Sequence, residues 1–155
     1  QFQFLNEHGI SSEADMTAFV EKAKAQIKTL TKQRTILNVQ KKKRQPQFQA
    51  LTDEEVLAPA KRLYDQGHSG METEAQQYLD AVTLLDSCGE SREALSQQQS
   101  ELYTKLADLN RELRQVRKQL KMCEEIRVQA TAMQENIRET EAPERQRQSR
   151  HRERT

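Results

Sequence analysis

The sequence predicts an all-α protein: an elongated antiparallel coiled-coil hairpin of two long helices with a small helical cap at the tip. Three observations carry that prediction. Leu102, Leu106, Leu109, Leu113, Val116, Leu120 and Cys123 follow one another in alternating steps of 4 and 3 residues. That stepping keeps one stripe of a helix against a partner helix. The surrounding stretch, Ser91 to Thr140, contains neither Gly nor Pro, so one helix through it would run for roughly 75 Å. Earlier in the chain Met16, Val20, Ala23, Ile27, Leu30, Arg34 and Leu37 step by 4 and 3 in the same way.

Composition agrees with a stripe-shaped core. The 155 residues are 34% hydrophobic and 32% charged, less apolar and more charged than an ordinary globular domain. Trp is absent and Phe, Tyr and Gly are few, which argues against a β-sandwich or a nucleotide-binding α/β domain. The charges, 25 basic against 24 acidic, nearly cancel, so their distribution matters more than their sum. No apolar run approaches a membrane span and nothing resembles a secretion signal. The chain opens on Gln1 and not on Met, as expected of a piece of a longer polypeptide.

The elements follow in order. Residues 1–11 read as a lead-in carrying Phe2, Phe4, Leu5 and Ile10. Ser12, with Asp15 three residues on, caps a first helix expected over 12–45. Arg34 is the polar member of its seam, and a carboxylate partner is expected for it. Lys41 to Arg44 close this helix where cations suit the macrodipole, and Gln45 before Pro46 disfavours further helix. Thr52 with Glu55 forms a second capping signal, for a short helix over 52–66 that contains Pro59 and stops at Gly67. Met71, Ala75, Tyr78, Leu79, Val82 and Leu85 mark a third helix over 71–87. Ser91 then caps the long helix, 91–141, which completes a single helical domain of residues 12–141. Residues 142–155, with Pro143 and an Arg- and Gln-rich run, read as a polar basic tail, either frayed helix or disordered. In the hairpin, Leu37 is expected near the start of the last helix, and Met16 and Phe19 near Met122, Cys123 and Ile126. A homodimer through the long helix is the competing assembly.

Little here could carry catalysis. His8, His68 and His151 are far apart, and the two cysteines, Cys88 and Cys123, have no metal-ligand spacing, so neither a metal site nor a cofactor is expected. They read as free thiols of a reducing compartment. There is no phosphate loop and no nucleophile elbow. Glu124-Glu125 reads as a solvated face, and Tyr64, Tyr78 and Tyr103 as packing residues with wetted hydroxyls. No small-molecule substrate is indicated.

The basic residues are the better lead. Arg111, Arg114, Lys118 and Lys121 step 3, 4, 3 along the outward side of the long helix, with Arg117 beside them. Lys41, Lys42, Lys43 and Arg44 form a second patch, and Arg145, Arg147, Arg150, Arg152 and Arg154 a third. Each patch alone is explained by a soluble coiled-coil face or by dipole complementation. Together they point to an acidic partner, since outward-facing cations can neutralise phosphates by weak backbone-type contacts whatever the sequence. No aromatic residues interleave with them, so base stacking is not indicated.

The segment Leu106 to Thr140, LADLNRELRQVRKQLKMCEEIRVQATAMQENIRET, resembles the C-terminal helical region of conjugative relaxases, the mobilisation proteins of bacterial plasmids and integrative elements. Its most telling part is Leu113 to Ile126, with the run Leu120-Lys121-Met122-Cys123-Glu124-Glu125-Ile126. Upstream, Asn6 to Arg34 is similar to the helix that opens this region in the same proteins. The resemblance implies a bacterial cytoplasmic parent that nicks one DNA strand through a tyrosine and a His-clustered metal. Those elements belong to an N-terminal nuclease domain that nothing in this chain matches, so no residue here inherits a catalytic role. What the resemblance implies for this region is accessory work, whether gripping origin DNA, contacting relaxosome or coupling proteins, or presenting the relaxase to the transfer apparatus. The alternative is a purely structural coiled-coil oligomerisation or scaffold module with no nucleic-acid role.

Overall fold

A computed structural model describes the backbone of residues 1–153 and the side chains of residues 1–139. Four helices follow one another, α1 (Phe2–Glu7), α2 (Glu13–Asp65), α3 (Glu72–Ser87) and α4 (Arg92–Glu153), and no strand occurs among the described residues. They pack as two compact units. Unit 1 combines Gln1–Thr29 with the part of α4 that begins at Leu113, and unit 2 is Leu30–Glu112. The basic tail read at 142–155 has side chains outside the described residues.

Unit 1 is built where the two stepped seams meet. Ile10, Met16, Val20 and Cys123 are buried together, with Phe4, Leu5, Phe19, Leu120 and Ile126 packed around them. Here α2 and α4 run antiparallel, since Met16 and Val20 meet Cys123 while Glu13 and Thr17 meet Arg127 one turn further along α4. The lead-in is more structured than a loop. α1 ends in a Schellman turn at Gly9 (φ 65°), where Ile10 N–H donates to the Leu5 carbonyl at 2.9 Å. Leu5 and Ile10 then join the core from the two ends of that turn. Ser12 caps α2 as expected: its Oγ accepts from the Asp15 N–H at 3.1 Å. The Asp15 carboxylate in turn accepts from the N–H and the hydroxyl of Ser11 at 3.0 and 2.9 Å.

In unit 2, α3 packs on the α2–α4 pair. Ala50, Ala81, Leu85 and Leu95 form one buried cluster, and Phe48, Leu102 and Leu106 another. Small Ala50 and Ala81 let α3 approach α2 closely. Ser91 caps α4 through the Ala94 N–H at 3.0 Å, as the sequence predicts. α2 stops at Gly67 (φ 87°) in a second Schellman turn, with Gly67 N–H on the Tyr64 carbonyl and His68 N–H on that of Leu63, each at 3.0 Å.

One expectation fails. The first helix does not end at Lys41 to Arg44, and no new helix starts at Thr52: α2 is a single 53-residue helix containing both Pro46 and Pro59. The reason is where the prolines sit. Pro46 and Pro59 are exposed, and so are Lys42 and Glu55, whose carbonyls lose their N–H partners. Water reaches those carbonyls, so the cost is limited to the strain of the rings. Meanwhile the 4 and 3 stepping continues through Leu37, Lys41, Arg44, Phe48 and Leu51, and the burial of Phe48 holds the helix across the gap. Thr52 becomes an interior residue, its hydroxyl donating to the Phe48 carbonyl at 3.4 Å. The pairing shifts accordingly. Leu37 packs beside Phe48, Leu102 and Leu106, and the start of α4 meets Glu54 through Arg92.

Candidate nucleic-acid interface

The seam of α4 fixes which of its residues face water. Leu102, Leu106, Leu109, Leu113, Val116 and Cys123 are buried and Leu120 half-buried. The cations between them, Arg111, Arg114, Arg117, Lys118 and Lys121, are all exposed. In unit 1, Arg114, Arg117, Lys118 and Lys121 make no ion pair among the described residues. They cover two turns of helix, roughly 10 Å along its axis. Glu124 and Glu125 follow, exposed as expected, and do not pair with Lys121 among the described residues. Arg111 belongs to unit 2 and is paired with Asp108 one turn back.

The second patch is divided by the seam. Lys41 and Arg44 fall on the inward stepping of α2 and are half-buried, whereas Lys42 and Lys43 are exposed. The Lys41 ammonium lies 5.0 Å from the centre of the Tyr103 ring, a cation–π contact. Arg44 donates to Glu90 at 3.1 Å, and Gln98 holds the other oxygen of that carboxylate. Two of the four residues read as a solvent-facing patch are therefore occupied inside unit 2. The continued stepping from Leu37 to Phe48 was the signal that placed them there.

Other charged residues are held in structural contacts. Arg34, on the α2 seam, meets no carboxylate among the described residues; its Nη1 donates to the Asn110 amide oxygen at 3.4 Å. Arg127 takes the seam position four residues after Cys123 and reaches Glu13 and Thr17 at 3.0 Å each. Arg92 binds Glu54 and Asp86, and these hydrogen bonds, Glu54 first, raise its pKa further. Hydrogen bonds from Ser11, the backbone one foremost, hold the Asp15 carboxyl below its ordinary value. Burial pushes the Cys123 thiol up, against the opposing charge of Arg127.

The rings of His8, Phe4 and Phe19 form a triangle of tilted and edge-on contacts, His8 lying 4.6 Å from Phe4 and 5.0 Å from Phe19. Among the described residues no group of three or more His, Cys, Asp or Glu is placed to hold a metal ion. No helix among them is long and apolar enough to cross a membrane. No protein-family model, no curated protein and no solved structure matches this chain.

Proposed function

We propose that this chain is a non-catalytic helical module that docks on nucleic-acid phosphates through Arg114, Arg117, Lys118 and Lys121. In this reading it is the accessory C-terminal region of a bacterial DNA relaxase, acting in the cytoplasm beside relaxosome or coupling proteins. One observation supports it above the rest. These four cations stand exposed on one stretch of α4 without ion-pair partners among the described residues, while Arg44, Arg92, Arg111 and Arg127 are each paired with a carboxylate. Exposed, unpaired cations release counterions when they meet phosphates, whatever the base sequence. The resemblance of Leu106 to Thr140 to relaxase C-terminal helices supplies the choice of DNA as the polyanion.

The test is binding to a labelled DNA oligonucleotide over a salt series. Four phosphate contacts give a slope of log K against log salt of roughly −3 to −4. Replacing Arg114, Lys118 and Lys121 with Glu should flatten that slope and leave the helical circular dichroism unchanged. Binding indifferent to salt and to those substitutions removes the nucleic-acid role and leaves the scaffold reading.

A further inference from the structure

The two flanks of unit 1 differ in charge. Lettered as heptads from the seams, Val20, Ala23 and Ile27 of α2 are positions a, d and a, and so are Leu113, Val116 and Leu120 of α4. On one flank the g residues Phe19 and Ile126 pack in one cluster, which α1 joins through Phe4 and Leu5. Further along that flank stand the neutral Gln26 and Gln119, with Lys22 at its rim. The other flank is marked by Arg127, whose Nη2 reaches the hydroxyl of Thr17, an e position of α2. That contact and the packing of Val20 with Cys123 fix the register. Carried along the helices, it sets Lys24 (e) level with the stretch between Arg117 (e) and Lys121 (b). Lys28 (b) comes level with the stretch between Arg114 (b) and Arg117, and Lys118 (f) stands on the outer side of α4.

All six cations are exposed, and none makes an ion pair among the described residues. The nearby acids, Glu21, Glu124 and Glu125, lie beyond Lys121 at one end, towards Glu13, which holds Arg127. Coiled coils set opposite charges at facing flank positions. Lys24 and Arg117 are alike, a repulsion between the helices that a bound polyanion relieves. We propose that Lys24 and Lys28 form a second row of the phosphate-binding face, and that its ligand is a nucleic-acid duplex held by the phosphates of both strands. This rests on the reading of α4 given above and adds α2 to it. Rows on two packed helices stand about 8–10 Å apart. That spacing falls between the minor-groove width of about 6 Å and the major-groove width of about 12 Å, so the rows reach phosphates on either side of one groove. A single strand offers one row. Sites for single strands also stack the bases on aromatic rings, and the packed rings of unit 1, Phe4, His8 and Phe19, are on the α1 flank.

The test titrates the full chain with a fluorescein-labelled DNA duplex of about 20 base pairs, two turns, and with one of its strands alone, each over a salt series. Six phosphate contacts give the duplex a slope of log K against log salt of roughly −5. Lys24→Gln with Lys28→Gln should reduce that slope by about 2 and weaken binding at least about tenfold at about 0.1 M salt, with the helical circular dichroism unchanged. Lys42→Gln with Lys43→Gln, the same loss of charge on α2 in unit 2, should leave the slope as it was. The duplex should bind more tightly than the single strand at the same salt. Three results overturn the proposal. The first is a slope indifferent to the Lys24 and Lys28 changes while those on α4 flatten it, which leaves the proposed function standing. The second is an equal effect of the Lys42 and Lys43 changes, which reduces the matter to net charge. The third is a single strand bound as tightly as the duplex. Salt-independent binding by the unaltered chain removes the nucleic-acid reading itself, and this one with it.

Discussion

Arg92 grips Glu54 with two nitrogens at once, Nε lying 2.7 Å from Oε1 and Nη2 2.6 Å from Oε2. Its Nη1 goes to Asp86 at 3.0 Å. One planar guanidinium at the first residue of α4 thereby joins α2 and α3. Lysine has no such fork. Arg92→Lys should therefore lower Tm nearly as far as Arg92→Ala. In a double-mutant cycle, Arg92→Ala with Glu54→Ala should be less damaging than the two single changes added together. Thermal circular dichroism checks both, and additive effects would reduce the contact to a surface pair of no consequence.

Pro46 interrupts the hydrogen bonds of α2 without ending it. Pro46→Ala relieves the strain of the ring against the Lys42 carbonyl, so the protein should gain stability, at most about 3 kcal/mol. Chemical unfolding with urea measures the gain. A loss of stability would mean that the proline ring itself is needed to seat Phe48.

Phe48 is 1% exposed and packs beside Leu102 and Leu106. Phe48→Ala should cost about 3–5 kcal/mol, the range for emptying a buried aromatic position. A cost below about 1 kcal/mol would show that the helices close over the gap.

Asp15 gives the acid limb of stability a definite sign. Its carboxyl titrates below the ordinary value of 3.8 because Ser11 donates to the charged form. The stabilisation is fully present above 3.8, falls away as pH drops below it, and is gone once the folded-state value has been passed. Asp15→Asn removes that dependence, so the variant and the original should converge in Tm at the acid end and diverge near neutrality. Parallel curves of Tm against pH would contradict this.

The thiols should separate kinetically. Cys123 is fully buried and its pKa is raised by desolvation, while Cys88 is only half-buried, with its Sγ donating to the Leu85 carbonyl at 3.1 Å. A thiol-disulfide reagent in native buffer should modify Cys88 first and reach Cys123 only at the rate of unfolding. Equal rates would place Cys123 in an open part of unit 1.

The α4 seam was legible residue by residue, because seven apolar side chains repeat the 4 and 3 stepping without a gap. So were the caps at Ser12 and Ser91 and the stop at Gly67, each of which is a local arrangement of side chain and backbone. The stretch from Lys41 to Thr52 was not. Two seam positions there are cations and the next residues include a proline, so the apolar stripe vanishes just where a helix breaker stands. Burial of Phe48 decided the outcome, and burial depends on residues more than fifty places away. The inward placing of Lys41 and Arg44 was hidden for the same reason. The acceptor of Arg34 was legible as a partner but not as an amide, since Asn110 and Asp108 lie within two residues of each other on α4.

The prolines of α2 also bear on how the chain is made. At a synthesis rate of roughly 5–20 residues per second, Leu106 emerges several seconds after Phe48. Until then Phe48 has no apolar partners on α4 to hold the helix across Pro46, and the nascent segment has little reason to remain one helix. A transcript truncated before Leu102 would release a chain with an uncovered phenyl ring, a natural target for chaperones and proteases.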